Sequence, residues 1–360
     1  MYAFFVLPAT AQCGGVRPAA DLLAGFRQEL QKLTTHGPGP CSPIWEDATK
    51  SEHEHSLFEQ ASEFVVEELN APSAVAIAPQ DRAAEALKSL EGMSSEINAG
   101  WPNENRFHFH VFDLQPVLVV KMHIRTHDRF FVFGINEESC QGHKLGWQKV
   151  GSDEEPLETL IFEKSLELYS LHRGPSGNVR FLAEFRDVGC AGNSYGIEYD
   201  AREWNPKAGW LTQIIKQEGA SGLDEKLGVL RTEGPLITLP YCWFSAIDTW
   251  DNPDLCAVDT YDLSGDNVRF RSRSYNRPDL VPIAKAIEYA EKRDYPAARA
   301  YCASDKVAHR LVREDPPHAE QFLQTKRTGK GTERIEMGEC FYDVEKRAGR
   351  WLVVAFGSER

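Results

Sequence analysis

The stretch from Arg106 to Ile135, RFHFHVFDLQPVLVVKMHIRTHDRFFVFGI, restricts the fold more than any other part of the chain. Phe107, Phe109 and Val111 alternate with His108, His110 and Phe112. A period of two is the mark of a strand with two unlike faces. Asp113-Leu114-Gln115-Pro116 can turn the chain. With Leu114 and Gln115 as loop residues, Phe107 faces Met122, Phe109 faces Val120 and Val111 faces Leu118. A second two-residue loop at His127 and Asp128 sets Ile124 against Phe131 and Met122 against Phe133. Both registers bury the same face of the middle strand, so the stretch reads as a three-stranded antiparallel meander. Val120 is then a core residue flanked by Phe109 and Ile135. Val119 points the other way, so an aspartate there is expected to be far milder than one at 120.

The opposite face carries Arg106, His108, His110, Lys121, His123 and Arg125. His108, His110 and His123 are candidate ligand-binding residues, because imidazole is a versatile donor, acceptor and metal ligand. The register places Lys121 opposite His108 and Arg106 opposite His123. Those cations would repel a metal ion, so neither a metal nor another cofactor is expected.

Helical spacing frames this meander. Leu22, Leu23, Phe26, Leu30 and Leu33 recur at helical intervals, and Ser56 with Glu59 forms a capping box ahead of Leu57, Ala61, Phe64, Val65 and Leu69. A third helix follows Asp81. Residues 160–275 read as hairpins, with turns at Gly174-Pro175-Ser176-Gly177, Asn205-Pro206-Lys207-Ala208-Gly209 and Leu263-Ser264-Gly265-Asp266. After Pro278 a helical pair precedes a final hairpin that closes on Trp351-Leu352-Val353-Val354. The expected class is therefore α+β: N-terminal helices packed on an antiparallel meander, a further antiparallel β-rich region, and a C-terminal helical pair ending in a β-hairpin. The expected divisions are 1–12, 13–150, 151–276 and 277–360.

The β-rich part echoes itself. Ser176-Gly177-Asn178-Val179-Arg180-Phe181 resembles Ser264-Gly265-Asp266-Asn267-Val268-Arg269-Phe270, and Tyr-Asp recurs at Tyr199, Tyr261 and Tyr342. The spacing is irregular, and shared turn chemistry accounts for such echoes more readily than duplication does.

Composition bears on compartment and partners. The net charge of -14 disfavours nucleic acid, which selects basic surfaces. No apolar run approaches the ~18 residues of a spanning helix, so no membrane span is expected. Ala3-Phe4-Phe5-Val6-Leu7 followed by Pro8-Ala9-Thr10-Ala11 reads as the rear half of an export signal covering residues 1–12. Eight cysteines agree with a periplasmic or extracellular location. Cys140 and Cys190, each in a glycine-bearing loop, form the first expected disulfide. Cys242 with Cys256 is the second, although a tight turn at Asn252-Pro253 would put Thr249 opposite Cys256 instead.

No nucleophile elbow, zinc-protease helix, dinucleotide fingerprint or calcium loop is present, and no segment carries a family-specific pattern. Arg269, Arg271 and Arg273 alternate near Asp259 and Asp262, a pattern suited to an anionic ligand, although cross-strand ion pairing is the commoner outcome. Trp243 and Trp250 mark the densest aromatic segment, YCWFSAIDTW, of a kind that lines grooves. The expected function is an exported bacterial-type protein that binds a partner protein or small-molecule ligand through a β surface, without a catalytic residue. The alternative is a hydrolase using Cys190 or the histidine-bearing face.

Overall fold

The computed structural model describes residues 28, 48–70, 84, 88, 90–92, 94–95, 107–124, 127–136, 146–152, 163–188, 195–205, 210–221, 230–243, 245, 247, 255–314 and 323–358. The expected signal at 1–12, Trp250, and the cysteines Cys140 and Cys190 lie outside them. The chain forms two compact units. The first is Met1–Ile161 with Trp204–Leu211, and the second is Phe162–Glu203 with Thr212–Arg360.

Among the described residues 57% are in strands and 23% in helices. The strands fall into four consecutive groups of four. β1 (Phe107–Asp113), β2 (Val117–Ile124), β3 (His127–Asn136) and β4 (Gly146–Ser152) make the first. β5 (Glu163–Ser170), β6 (Val179–Val188), β7 (Tyr195–Asn205) and β8 (Trp210–Ser221) make the second. β9 (Arg231–Glu233), β10 (Leu236–Trp243), β11 (Leu255–Asp262) and β12 (Arg269–Tyr275) make the third. β13 (Leu323–Gly329), β14 (Thr332–Met337), β15 (Cys340–Arg347) and β16 (Arg350–Ser358) make the last. Helix α1 spans Ala48–Asn70, and α2 (Val281–Glu291), α3 (Tyr295–Arg299) and α4 (Asp305–Arg313) stand between the third and fourth groups. This corrects the expected α+β class. The protein is mostly β, a succession of four-stranded antiparallel meanders, and its helices are accessories to them.

The first meander keeps the expected faces but not the expected register. β1 pairs Phe109 with Met122 and Val111 with Val120, a shift of two residues. The cause is the turn. Leu114 N–H donates to Val117 O at 3.0 Å, and the Asp113 carboxylate accepts from Gln115 N–H at 3.1 Å, which closes a four-residue loop. His127 and Asp128 are already in β3, paired with Ile124 and His123. A shift by two leaves each side chain on its face. Phe107, Phe109, Leu118, Val120, Met122, Phe131 and Phe133 therefore share one core with Phe58, Ala61, Phe64, Val65 and Leu69 of α1. Asn70 clamps the end of α1 to β4, giving to Trp147 O at 2.8 Å and accepting from Trp147 N–H at 2.9 Å.

The other face is not wet where valines occupy it. Val117, Val119, Phe130 and Val132 are all 0% exposed. Trp204 covers Gly134 on this side, so closely that a Cβ at 134 would lie 3.0 Å from its ring. Val120 lies across from Val111 and Phe131, not between Phe109 and Ile135.

The second unit has two cores. One joins Leu171, Leu182, Ile197, Tyr199 and Ala201 with Ile237, Leu239, Tyr241 and Ala257. The other packs α2, α3 and α4 on the last meander through Ile283, Ile287, Leu311, Ile335, Tyr342, Val344 and Val353. β8 approaches β10 so closely that a Cβ on Gly219 would lie 2.5 Å from Cys242 O, which requires glycine there. The three Tyr-Asp dipeptides, at Tyr199, Tyr261 and Tyr342, all lie on the third strand of their meander, β7, β11 and β15.

Two-sided burial has a direct test. Val119→Asp and Val120→Asp should each destabilise by several kcal/mol, since both place an unpaired charge in a packed interior. Denaturant unfolding of both variants checks this. A loss for Val119→Asp under about 1 kcal/mol would mean that face is open to water.

Candidate functional site

Two of the three candidate histidines on β1 and β2 meet, and the third stands apart. His108 and His123 are directly opposed, their rings stacked with centroids 6.1 Å apart. His123 Nδ1 lies 2.7 Å from Asp128 Oδ1, and Lys121 Nζ lies 3.0 Å from Asp128 Oδ2. The buried Asp128 is thus shared by a lysine and an imidazole. His110 is exposed and meets the edge of Phe112 at 4.4 Å. Lys121 faces His110 rather than His108. Among the described residues no group of three or more His, Cys, Asp or Glu side chains is placed to hold a metal ion.

Two further clusters lie in the second unit: one around Glu184, which no sequence expectation named, and one in which Asp259 and Arg273 form a cross-strand ion pair. Glu184 is 1% exposed. It accepts from Tyr169 Oη at 2.9 Å and from Arg186 Nε at 2.6 Å. Asp259 is 0% exposed and holds Arg273 by two bonds of 2.7 Å, with Tyr241 Oη at 3.2 Å. The design is the same in both: a buried carboxylate grips the inner edge of a guanidinium whose outer edge reaches solvent. The tyrosines are held protonated. Burial first, and then the adjacent carboxylate, pushes Tyr169 and Tyr241 well above the ordinary phenol range. One signal was available for Glu184. It shares the strand parity of Leu182, an inward position.

The Asp259 cluster opens onto β12. This strand ends the path of its sheet and is exposed at six of its seven residues. A bulge between Thr260 and Tyr261 shifts the pairing, so Phe270 faces Tyr261 and Arg269 faces Asp262, while Arg273 faces Asp259. The expected common face of Arg269, Arg271 and Arg273 is broken by that bulge. Arg271 pairs with Asp262 through Nε at 3.0 Å and through Nη2. Arg273 lies over the rings of Tyr241 and Phe270 at 5.7 and 5.9 Å. Phe270 is 54% exposed and packs edge-on against Tyr261 at 5.6 Å. Trp243 continues the aromatic row, 6.0 Å from Tyr241 and 6.0 Å from Tyr275. Beyond its ladder pairing with Asp262, Arg269 has no side-chain ion pair or hydrogen bond among the described residues. Arg269 and Arg271 thus lie together at the start of β12, whereas Trp243, on β10, meets only its far end at Tyr275.

The echo of β12 within β6 is instructive. Arg180, the counterpart of Arg269, is 0% exposed. Its Nε donates to Glu203 Oε2 on β7, Nη1 to Leu263 O at 2.6 Å, and Nη2 to Gly265 O and Asp266 O at 2.9 Å each. Phe181, the counterpart of Phe270, is 1% exposed. The same short sequence is thus covered in β6 and bare in β12.

Cys242 and Cys256 are opposed across β10 and β11 and form a disulfide. The connection is longer than a tight turn, with β10 ending at Trp243 and β11 beginning at Leu255. Among the described residues Cys302 is a buried thiol outside this disulfide. Burial raises the Cys302 thiol to about 11.

No family model matches the chain, and no curated protein matches its sequence. Solved structures of an α-L-arabinofuranosidase from Fusarium graminearum show distant likeness. An iminosugar-inhibitor complex of a variant has 11% identity and a TM-score of 0.23, over 71% of this chain and 82% of that one. The arabinobiose complex, described as GH93, has 12% identity and a TM-score of 0.22, over 70% and 82%. Likeness at this level assigns neither fold nor activity to this chain.

The Asp262 carboxylate carries a pH prediction. The Ser264 hydroxyl and N–H, and then Arg271, hold it well below the usual carboxylate range. Such a group stabilises the fold above its unfolded pKa of about 3.9 and loses that contribution as the pH falls toward its folded pKa. Asp262→Asn should melt below the wild type at pH 6, and the gap should narrow as the pH falls below about 4. A gap of constant size down to pH 2.5 would show that the ionised carboxylate contributes nothing.

Proposed function

We propose that this is an exported binding protein that recognises a protein partner through the exposed edge of its third meander. The observation that carries the reading is the state of β12: Phe270 and Arg269 stand bare beside Arg271 and Arg273, which buried carboxylates already hold in place. Arginine and aromatic residues dominate interface hot spots. Side chains fixed before binding lose little conformational entropy on binding, which favours affinity. The half-buried Tyr261, Trp243 and Tyr275 extend the same row. The Cys242–Cys256 disulfide agrees with an oxidising compartment. No helix among the described residues is long and apolar enough to cross a membrane.

Binding is favoured over catalysis by the condition of the buried acids. Glu184 and Asp259 are each occupied by an arginine and a tyrosine hydroxyl. A carboxylate so engaged has little freedom to shuttle a proton. Tyrosines held protonated serve as donors, not nucleophiles. Of the hydrolase alternative, Cys190 lies outside the described residues, and the histidine face offers His123 tied to Asp128.

Selection from a random peptide display library tests the reading. Wild-type protein should enrich peptides that an Arg269→Ala/Phe270→Ser double variant does not retain. Both positions are exposed, so the double variant should fold, which its melting temperature checks. Enrichment of the same peptides on both proteins, or none on either, contradicts a recognition surface at β12.

A further inference from the structure

Resting on that reading, we infer that β12 accepts an extended, acidic segment of the partner as an added strand, in the place that β7 holds beside β6. The same Val-Arg-Phe sequence follows similar turns at the start of β6, Val179-Arg180-Phe181, and at the entry to β12, Val268-Arg269-Phe270. Each pairs back across its turn with the preceding strand, β5 or β11. β6 has a second neighbour, β7, and β12 has none among the described residues. β7 gives β6 two things: a strand partner, and the Glu203 carboxylate that meets Arg180. A segment completing β12 in the same way needs an extended backbone and a carboxylate within reach of Arg269. An exposed strand edge offers backbone donors and acceptors to such a segment, and its side chains choose which one.

Charge selects among occupants. Antiparallel pairing of two copies of β12 centred on Ser272 would set Arg271 against Arg273 and Arg269 against Tyr275. Like charges directly opposed disfavour that pairing. Arginines and a bulge are also devices that protect an edge from aggregation. Protection alone does not account for a phenylalanine left 54% exposed on that edge. An acidic strand satisfies both features, with its carboxylates at the guanidiniums and its apolar side chains over Phe270.

The test uses the full chain and fluorescence anisotropy of a labelled peptide of about twelve residues, a typical edge-strand length plus flanks, alternating Val or Thr with Glu. Three arms accompany it: Gln for Glu, N-methylation at alternate backbone positions, and the Arg269→Ala protein. Each should weaken binding about tenfold or more, the scale of a lost charge-assisted or backbone bond set. Equal binding of the N-methylated peptide would overturn strand addition while leaving β12 as a surface. Equal binding of the Gln peptide would overturn the acidic preference. No binding of the Val/Glu peptide, when display selection does yield β12-dependent peptides, would overturn this inference and spare the binding reading.

Discussion

Much of the second unit is arranged around one buried guanidinium. Arg180 is among its largest fully buried side chains, and it uses four N–H groups, one toward Glu203 and three toward the carbonyls of Leu263, Gly265 and Asp266. Desolvating an arginine is costly, and only near-complete hydrogen bonding offsets that cost. Here the bonding is near complete. Asn178 donates to the second oxygen of Glu203 at 2.8 Å, and Ser176 reaches Asp266 at 2.7 Å. The turn before β6 is thereby docked on the turn between β11 and β12. Removing the guanidinium would strand Glu203 and free that turn, a loss of roughly 3–5 kcal/mol by analogy with broken buried pairs. The position of β12, and so of its exposed edge, follows from this contact.

Buried acids recur on the third strands. Asp128 on β3, Asp200 on β7, and Asp259 and Asp262 on β11 are all buried, and each is held by side chains of an adjoining strand or of its own. Asp343 on β15 takes Arg334 of β14 by two bonds of 2.8 and 2.9 Å. Apolar residues of similar volume would pack as stably, so ion pairs at these positions fit a role in fixing register. A sheet whose valines are buried on both faces gains from that, because hydrophobic alternation no longer specifies the pairing.

These features explain what the sequence conveyed. The alternation from Phe107 to Phe133 put the right side chains in the first core, because any even shift preserves the face. The shift itself was hidden in the side-chain and backbone bonds of the Asp113 turn. Val119 reads as outward because its face also holds lysine and histidine, and sequence does not show that Trp204 covers part of it. The sequence reads as α+β because helical periodicity is loud at both ends of the chain, whereas the marks of a repeated meander are two residues long. Tyr199, Tyr261 and Tyr342 carried that information, and the irregular spacing between them obscured it. Arg180 was least legible: on a strand pattern an arginine reads as outward, and only its carbonyl and carboxylate partners make burial tolerable.

Native-state hydrogen exchange of residues 263–275, in the wild type and in Arg180→Met, addresses the core of this account most directly. In the wild type, amides of β12 that bond to β11 should exchange slowly and those between them rapidly, the pattern of a rigid strand paired on one side only. In Arg180→Met the slow set should become fast, because the turn that sets β12 has lost its anchor. Uniformly slow exchange along β12 would mean its outer edge is already covered. An unchanged pattern in the variant would mean that Arg180 does not hold the edge in place.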